Sequence, residues 1–203
     1  MIIATSVVGA QNKVTFDNSM VLPKGWESGV TGTGTAKWEI AADETAPSRT
    51  HVLKQSGEAT FCWAAKTDER IKDGVAEVRF KTISGKEDQA AGIVFRFTDA
   101  NNYYVVRANA LEDNVVLYKT VEGKRSSLPV KGRTLGYGFD TRIASGKWAT
   151  LRIEFKDNLF TVFLDGKQLF QVEDATFKEP GAVGVWTKAD SVTLFDDFTY
   201  GSK

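Results

Sequence analysis

The chain has 203 residues, and its 26 Lys and Arg balance 26 Asp and Glu to a net charge of zero. The basic residues are spread along the chain, which argues against a nucleic-acid partner, and no apolar stretch approaches the length of a membrane span. With only four prolines, no low-complexity tract and no repeat at solenoid or propeller period, the sequence predicts one compact domain of ordinary size.

The opening segment MIIATSVVGAQ is apolar and ends in small residues ahead of a polar stretch. It reads as the tail of a secretory signal cut near Ala10 but lacking its basic leader, or else as a plain first strand. Export to a secreted or periplasmic location is the expectation, with residues 12–203 as the folded unit. Strand signals then recur about every eight to twelve residues, as in an all-β sandwich or barrel. VTFD (14–17) is followed by GVTGTGTAKW (29–38), whose spaced glycines lack the strand and helix of a phosphate loop and read as a flexible loop. KWEI, THVLKQ and ATFCWAA continue the strand series. Cys62, the only cysteine, excludes an intramolecular disulfide and reads as a small buried side chain; His51, the only histidine, reads as an ordinary strand residue.

The stretch from residue 74 to 119 alternates most clearly. A turn at residues 99–102 sets Phe95 against Val106 and Val94 against Arg107. Ile93, Phe95, Phe97, Tyr104, Val106 and Ala108 then share a buried face, while Arg96, Thr98, Tyr103, Arg107 and Asn109 share a polar one. Upstream, GVAEVRFKTI (74–83) is expected to fold back beside this hairpin, with Ala76, Val78 and Phe80 in the core and Glu77 and Arg79 opposite Arg96 and Val94. Downstream, a turn at LEDN sets Leu117 beside Ala108 and Tyr118 beside Arg107. Lys119 lands on the core side, which calls for a sheet edge or a bulge there.

KGRTLGYGFD (131–140) reads as a loop whose Tyr137 and Phe139 cover the core edge or line a groove. LRIEF-KDNL-FTVFL predicts a hairpin pairing Phe155 with Phe160, Ile153 with Val162 and Leu151 with Leu164. Asp165-Gly166 is a type I′ turn signal that returns the chain through KQLFQV. Residues 173–178 are the only candidate for a short helical turn, and GAVGVWT and VTLFDDFTY close the series.

In this order, AGIVFRFTDANNYYVVRAN, LYKTVEGKR, W-x-T-L-R-I-E-F with V-F-L-D-G-K, and GAVGVWTKADSVTLFDDF resemble the concanavalin A-like lectin and glucanase superfamily, which includes laminin G-like domains. They look closest to the 3-keto-disaccharide hydrolase-type domains. The resemblance implies an all-β, two-sheet antiparallel jelly-roll sandwich in which the polar side of the concave sheet holds an oligosaccharide or polysaccharide. Arg79, Arg96, Tyr103, Arg107, Asn109 and Tyr118, with Trp186 from GVWTK, are the ligand-binding candidates: aromatic rings stack on pyranose faces, and Arg and Asn donate to hydroxyls. Glu77 is the one carboxylate on that face and the weak catalytic candidate. The E-x-D-x-x-E strand motif of family 16 glucanases is absent, so no acid and base pair for hydrolysis is visible. The relatives' N-S-G-I-x-x-R becomes Ala90-Ala91-Gly92-Ile93-Val94-Phe95-Arg96, which keeps Gly, Ile and Arg and loses Asn-Ser. The resemblance also implies a structural calcium where the first and last strands meet, with Asp17 and Asp197 supplying oxygens; no other cofactor is expected. Three classes stay open: a non-catalytic carbohydrate-binding domain, which the missing carboxylate pair favours, a glycoside- or keto-glycoside-cleaving enzyme, and a laminin G-like protein-interaction domain.

Overall fold

A computed structural model describes residues 11–17, 20–133 and 136–203. The opening segment's first ten residues, and with them the choice between leader and first strand, lie outside the described residues. The strands in chain order are β1 (Asn12–Val14), β2 (Trp26–Thr35), β3 (Trp38–Ala42), β4 (His51–Gln55), β5 (Glu58–Ile71), β6 (Gly74–Ser84), β7 (Ala90–Asp99) and β8 (Asn102–Asn109). They continue as β9 (Asn114–Val121), β10 (Lys124–Ser127), β11 (Phe139–Asp140), β12 (Ala149–Lys156), β13 (Leu159–Leu164), β14 (Lys167–Glu173), β15 (Gly181–Ala189) and β16 (Val192–Ser202). No helix among the described residues is long and apolar enough to cross a membrane.

Two antiparallel sheets form the jelly-roll sandwich. The back sheet runs β14-β13-β12-β6-β16-β4-β3 with β1 on β16, and the front sheet runs β10-β9-β8-β7-β15-β5-β2 with β11 on β9. The core between them takes the inward side chains of both, including Ala76, Val78 and Phe80 of β6, Ile93 and Phe95 of β7, Tyr104 and Val106 of β8, and Ile153, Phe155, Phe160 and Val162 of β12 and β13. Alternation every second residue is what puts these side chains on one face of each strand. The β12–β13 hairpin has the expected register, Phe155 with Phe160, Ile153 with Val162 and Leu151 with Leu164. Its continuation turns at Asp165 and Gly166, both at positive φ, as a type I′ turn requires.

Several expectations are corrected. β6 does not pair with β7: it pairs with β12 and β16 in the back sheet and faces β7 across the core. Strand alternation specifies an inward face but not the sheet that carries it, and a jelly roll crosses between sheets at this connection. The β7–β8 turn at residues 99–102 is present, with Asp99 opposite Asn102, but Phe95 lies opposite Tyr104, so residues 96–98 of β7 face Tyr103 across a bulge. Arg96 sits at φ 44° in this bulge, which reverses the faces beyond it. Phe97 therefore leaves the core side and packs on Trp63 and Tyr103 on the outer face of the front sheet. The bulged backbone also needs Gly181, where a Cβ would stand 2.3 Å from the Arg96 carbonyl carbon.

In the β8–β9 hairpin, Leu117 lies opposite Val106 and Tyr118 opposite Val105, two residues from the expected register but on the expected faces. Lys119 is on the core side, at the end of the sandwich, where its Nζ reaches Asp174 (2.9 Å) and Thr176 (2.8 Å). Residues 173–178 form no helical turn; Asp174 instead accepts the Thr176 amide and the Tyr104 hydroxyl. The glycine-rich segment is strand β2, not a loop, and its glycines admit large neighbours. A Cβ at Gly29 would stand 2.5 Å from the Trp63 ring. Cys62 is fully buried as expected, and burial pushes its thiol up to about 11.

Candidate functional site

The front sheet curls so that side chains from each edge strand reach across its own outer face. At one edge, Thr31 of β2 hydrogen-bonds to the Tyr103 hydroxyl (2.9 Å) and donates to the Ala100 carbonyl at the tip of the β7–β8 hairpin. At the other, the Arg125 guanidinium of β10 lies over the rings of Tyr118 (4.2 Å), Phe61 (4.7 Å) and Trp186 (5.5 Å). The concave face is thus filled by a second apolar cluster that includes Phe61, Trp63, Phe97, Tyr103, Val105, Tyr118 and Trp186. Glycines on neighbouring strands let the indoles lie across the backbone: Trp63 over Gly29 and Trp186 over Gly92.

One end of this face carries a charged network. Arg107, 1% exposed, holds Glu112 through both carboxylate oxygens (2.9 and 3.0 Å) and donates to Asn114 Oδ1 at 2.6 Å. Asn109 Nδ2 donates to Asp88 (2.5 Å) and to Glu112 (3.1 Å), and Lys188 pairs with Asp88. The fork-to-fork contact with Arg107 brings the Glu112 carboxyl down to about 2. The loop carrying Asp88 is fixed by Asp190, whose carboxylate accepts the amides of Lys86, Glu87 and Asp88. Next to the network, the Tyr118 ring lies 5.6 Å from the Arg107 guanidinium, and its hydroxyl contacts that of Tyr137. Tyr137 is 47% exposed and forms the outer lip. Burial raises the Tyr118 phenol well above its usual range, so this hydroxyl stays protonated.

Four nitrogens on this face have no hydrogen-bond partner although buried: Trp63 Nε1, Trp186 Nε1, Arg107 Nε and Arg125 Nη1. Unsatisfied buried donors are uncommon in native proteins and call for a ligand, water or a functional reason. Arg125 covers the buried rings of Tyr118 and Trp186, so what the patch presents outward is the Arg125 guanidinium, the partly exposed Glu112 carboxylate and the exposed ring of Tyr137.

Of the sequence-predicted ligand residues, the structure brings together Arg107, Asn109, Tyr118 and Trp186. Tyr103 shares the face but closes its other end against Thr31. Arg96 does not belong to it. The bulge turns its side chain to the end of the sandwich, where it donates to the carbonyls of Lys72 (3.0 Å), Phe177 (2.8 Å) and Asp157 (2.5 Å) and to Asp73 (3.3 Å). Arg79 and Glu77 lie on the outer face of the back sheet, because β6 belongs there; Arg79 is exposed and Glu77 faces Arg152 (3.8 Å). Glu77 has no part in the concave site. Asp88, Glu112, Asn114, Arg125, Lys188 and Phe61 were not among the expected residues. Glu112 and Asp88 sit in segments read only as turns. Arg125 was signalled by Glu122-Gly123, which turns with both residues at positive φ and lays β10 back along β9, Arg125 opposite Thr120.

The expected calcium ligands have other partners. Asp17 Oδ1 accepts the amides of Thr50 and His51, each at 3.0 Å, which lowers its pKa, and Asp197 pairs with Lys13 at 2.7 Å. Asp196 is buried and accepts the amides of Ser48 and Asp197. No group of three or more His, Cys, Asp or Glu among the described residues can hold a metal.

The two antiparallel sheets define a jelly-roll protein. Residues 12–199 match the model of the 3-keto-alpha-glucoside-1,2-lyase-like domain, and the chain belongs to that family. Among solved structures it is similar to the carbohydrate-binding module CBM66 from Bacillus subtilis, at 20% identity and a TM-score of 0.69 over 88% of this chain and 96% of that one. It is also similar to Cip1, a cellulose induced protein, at 14% identity and 0.69 over 95% and 97% of the two chains. A beta-1,3-1,4-glucanase (lichenase) from a mouse hindgut metagenome matches at 14% identity and 0.55 over 95% and 98%. No curated protein sequence matches the chain.

Proposed function

We propose that this protein binds a saccharide at the Arg107 end of the concave face and does not hydrolyse it. The observation that carries this reading is the coincidence of unpaired donors, among them Arg107 Nε and Arg125 Nη1, with the partly exposed Glu112 carboxylate and the exposed ring of Tyr137. Saccharides present apolar faces for rings and hydroxyls that both donate and accept. Similarity to a carbohydrate-binding module and to a cellulose induced protein supports the same reading. Hydrolysis needs a group that gives and takes a proton near working pH. Glu112, brought down to about 2 by Arg107, is too acidic to donate one.

A glycan panel followed by calorimetry tests the reading. Tyr137 is exposed and outside the core, so Tyr137→Ala is expected to keep the melting temperature and weaken the responding glycan severalfold. Silence across the panel, or full affinity in both Tyr137→Ala and Glu112→Gln, would sink it. Family membership favours a second reading, cleavage of a 3-keto-glucoside, with Asp88 and Glu112 as the carboxylates at hand. Product release by the purified protein that disappears in Asp88→Asn would establish it in place of the first.

A further inference from the structure

The four arginines that are not exposed differ in one respect. Arg96 holds three carbonyls and Asp73, Arg107 holds Glu112 and Asn114, and Arg152 pairs with Glu154. The Arg125 guanidinium makes no hydrogen bond and no ion pair among the described residues; it rests on Tyr118, Phe61 and Trp186, with Nη1 buried and unpaired. The carboxylates of the adjoining network are already engaged: Glu112 with Arg107, Asn109 and Asn114, and Asp88 with Asn109 and Lys188. They leave Arg125 as the cation of this face without a counter-charge. Packing on three rings fixes the plane of the guanidinium, and a planar, fixed fork is suited to a two-point contact with a carboxylate.

We propose that the saccharide taken by this face carries a carboxylate, as a hexuronic acid residue does, and that Arg125 is the residue that reads it. The inference rests on the saccharide-binding reading above and narrows it to acidic sugars. A neutral hydroxyl would satisfy one N–H, whereas a carboxylate satisfies two and supplies the missing negative charge. The exposed ring of Tyr137 at the lip is the aromatic surface left to flank the sugar ring that bears it.

Calorimetry with trigalacturonate, triglucuronate and cellotriose, at low and moderate salt, tests the proposal. At least one of the acidic trisaccharides is expected to bind ten-fold or more tighter than cellotriose, with affinity falling as salt rises. Arg125→Gln, which uncovers the rings of Tyr118, Phe61 and Trp186 and lowers the melting temperature, should reduce that ligand to the level of cellotriose per folded molecule. Arg125→Lys, which keeps the charge and loses the fork, should fall between, and it serves as the test if the glutamine variant melts early. Equal or tighter binding of cellotriose, or acidic binding that survives in both variants, overturns the acidic preference and leaves saccharide binding standing. Binding of none of these sugars, together with silence across the wider panel, removes both.

Discussion

Arg96 and Arg107 belong to the same β-hairpin, are both 1% exposed, and are expected from alternation to share a face, yet they do opposite work. Arg96 ends among backbone carbonyls of three connections, the β5–β6 turn at Lys72, the β12–β13 turn at Asp157 and the segment at Phe177, and clips one end of the sandwich together. Arg107 ends among side chains, with Glu112 partly in solvent and its own Nε unpaired. Carbonyls of the protein's own turns make a finished structural contact. A carboxylate and amide network beside unpaired donors makes an unfinished one, and that is the form a binding site takes.

The largest expected effect separates these two regions directly. Arg96→Met strands three buried or partly buried carbonyls and should lower unfolding stability by about 3 kcal/mol or more. Its glycan affinity per folded molecule should be unchanged; denaturant melts beside calorimetry read both. Arg107→Met leaves Glu112 free to be hydrated, so it should cost less, about 1 to 3 kcal/mol, while removing glycan binding. A variant pair with the two outcomes exchanged would reverse the assignment.

Gly181→Ala tests the bulge that sends Arg96 away from the concave face. Its Cβ would stand 2.3 Å from the Arg96 carbonyl carbon and 2.6 Å from its Cα, so the backbone has to shift, at about 1 to 3 kcal/mol. Unaltered stability would mean that the bulge tolerates displacement. The smallest effect concerns pH. The folded state holds Glu112 at about 2 against an ordinary 4.5, so its contribution is fully present above pH 4.5 and fades as pH falls toward 2. Glu112→Gln should therefore flatten the loss of stability across that acid window and leave stability above it little more dependent on pH than before. An unchanged acid slope would show that Arg107 does not hold this carboxylate.

Much of the fold was legible in the residues. The jelly roll follows from recurrent alternation and turn signals, and the β12–β13 register was set by the KDNL turn, whereas the β13–β14 pairing beyond the Asp-Gly turn slips at Val162 and Phe163. The inward faces of β6 and β8, and the positions of Arg107, Asn109 and Tyr118 on one face, were equally readable, because a strand's period of two is local. The remainder of the site was not. Asp88, Glu112 and Arg125 come from turns and an edge strand whose place depends on how strongly the front sheet curls.

The sequence by itself determined most of the strands, most of the apolar inward faces and the kinship with the 3-keto-alpha-glucoside-1,2-lyase-like family, all of which are read within a few residues of one another. Only the tertiary structure decided that β6 lies in the other sheet, taking Glu77 and Arg79 with it, and that the bulge at Arg96 exchanges faces with Phe97. It also decided that Arg125 closes over Phe61, Tyr118 and Trp186. Each of these depends on which strands become neighbours and how the sheet curves, and long-range packing sets that where local alternation is silent.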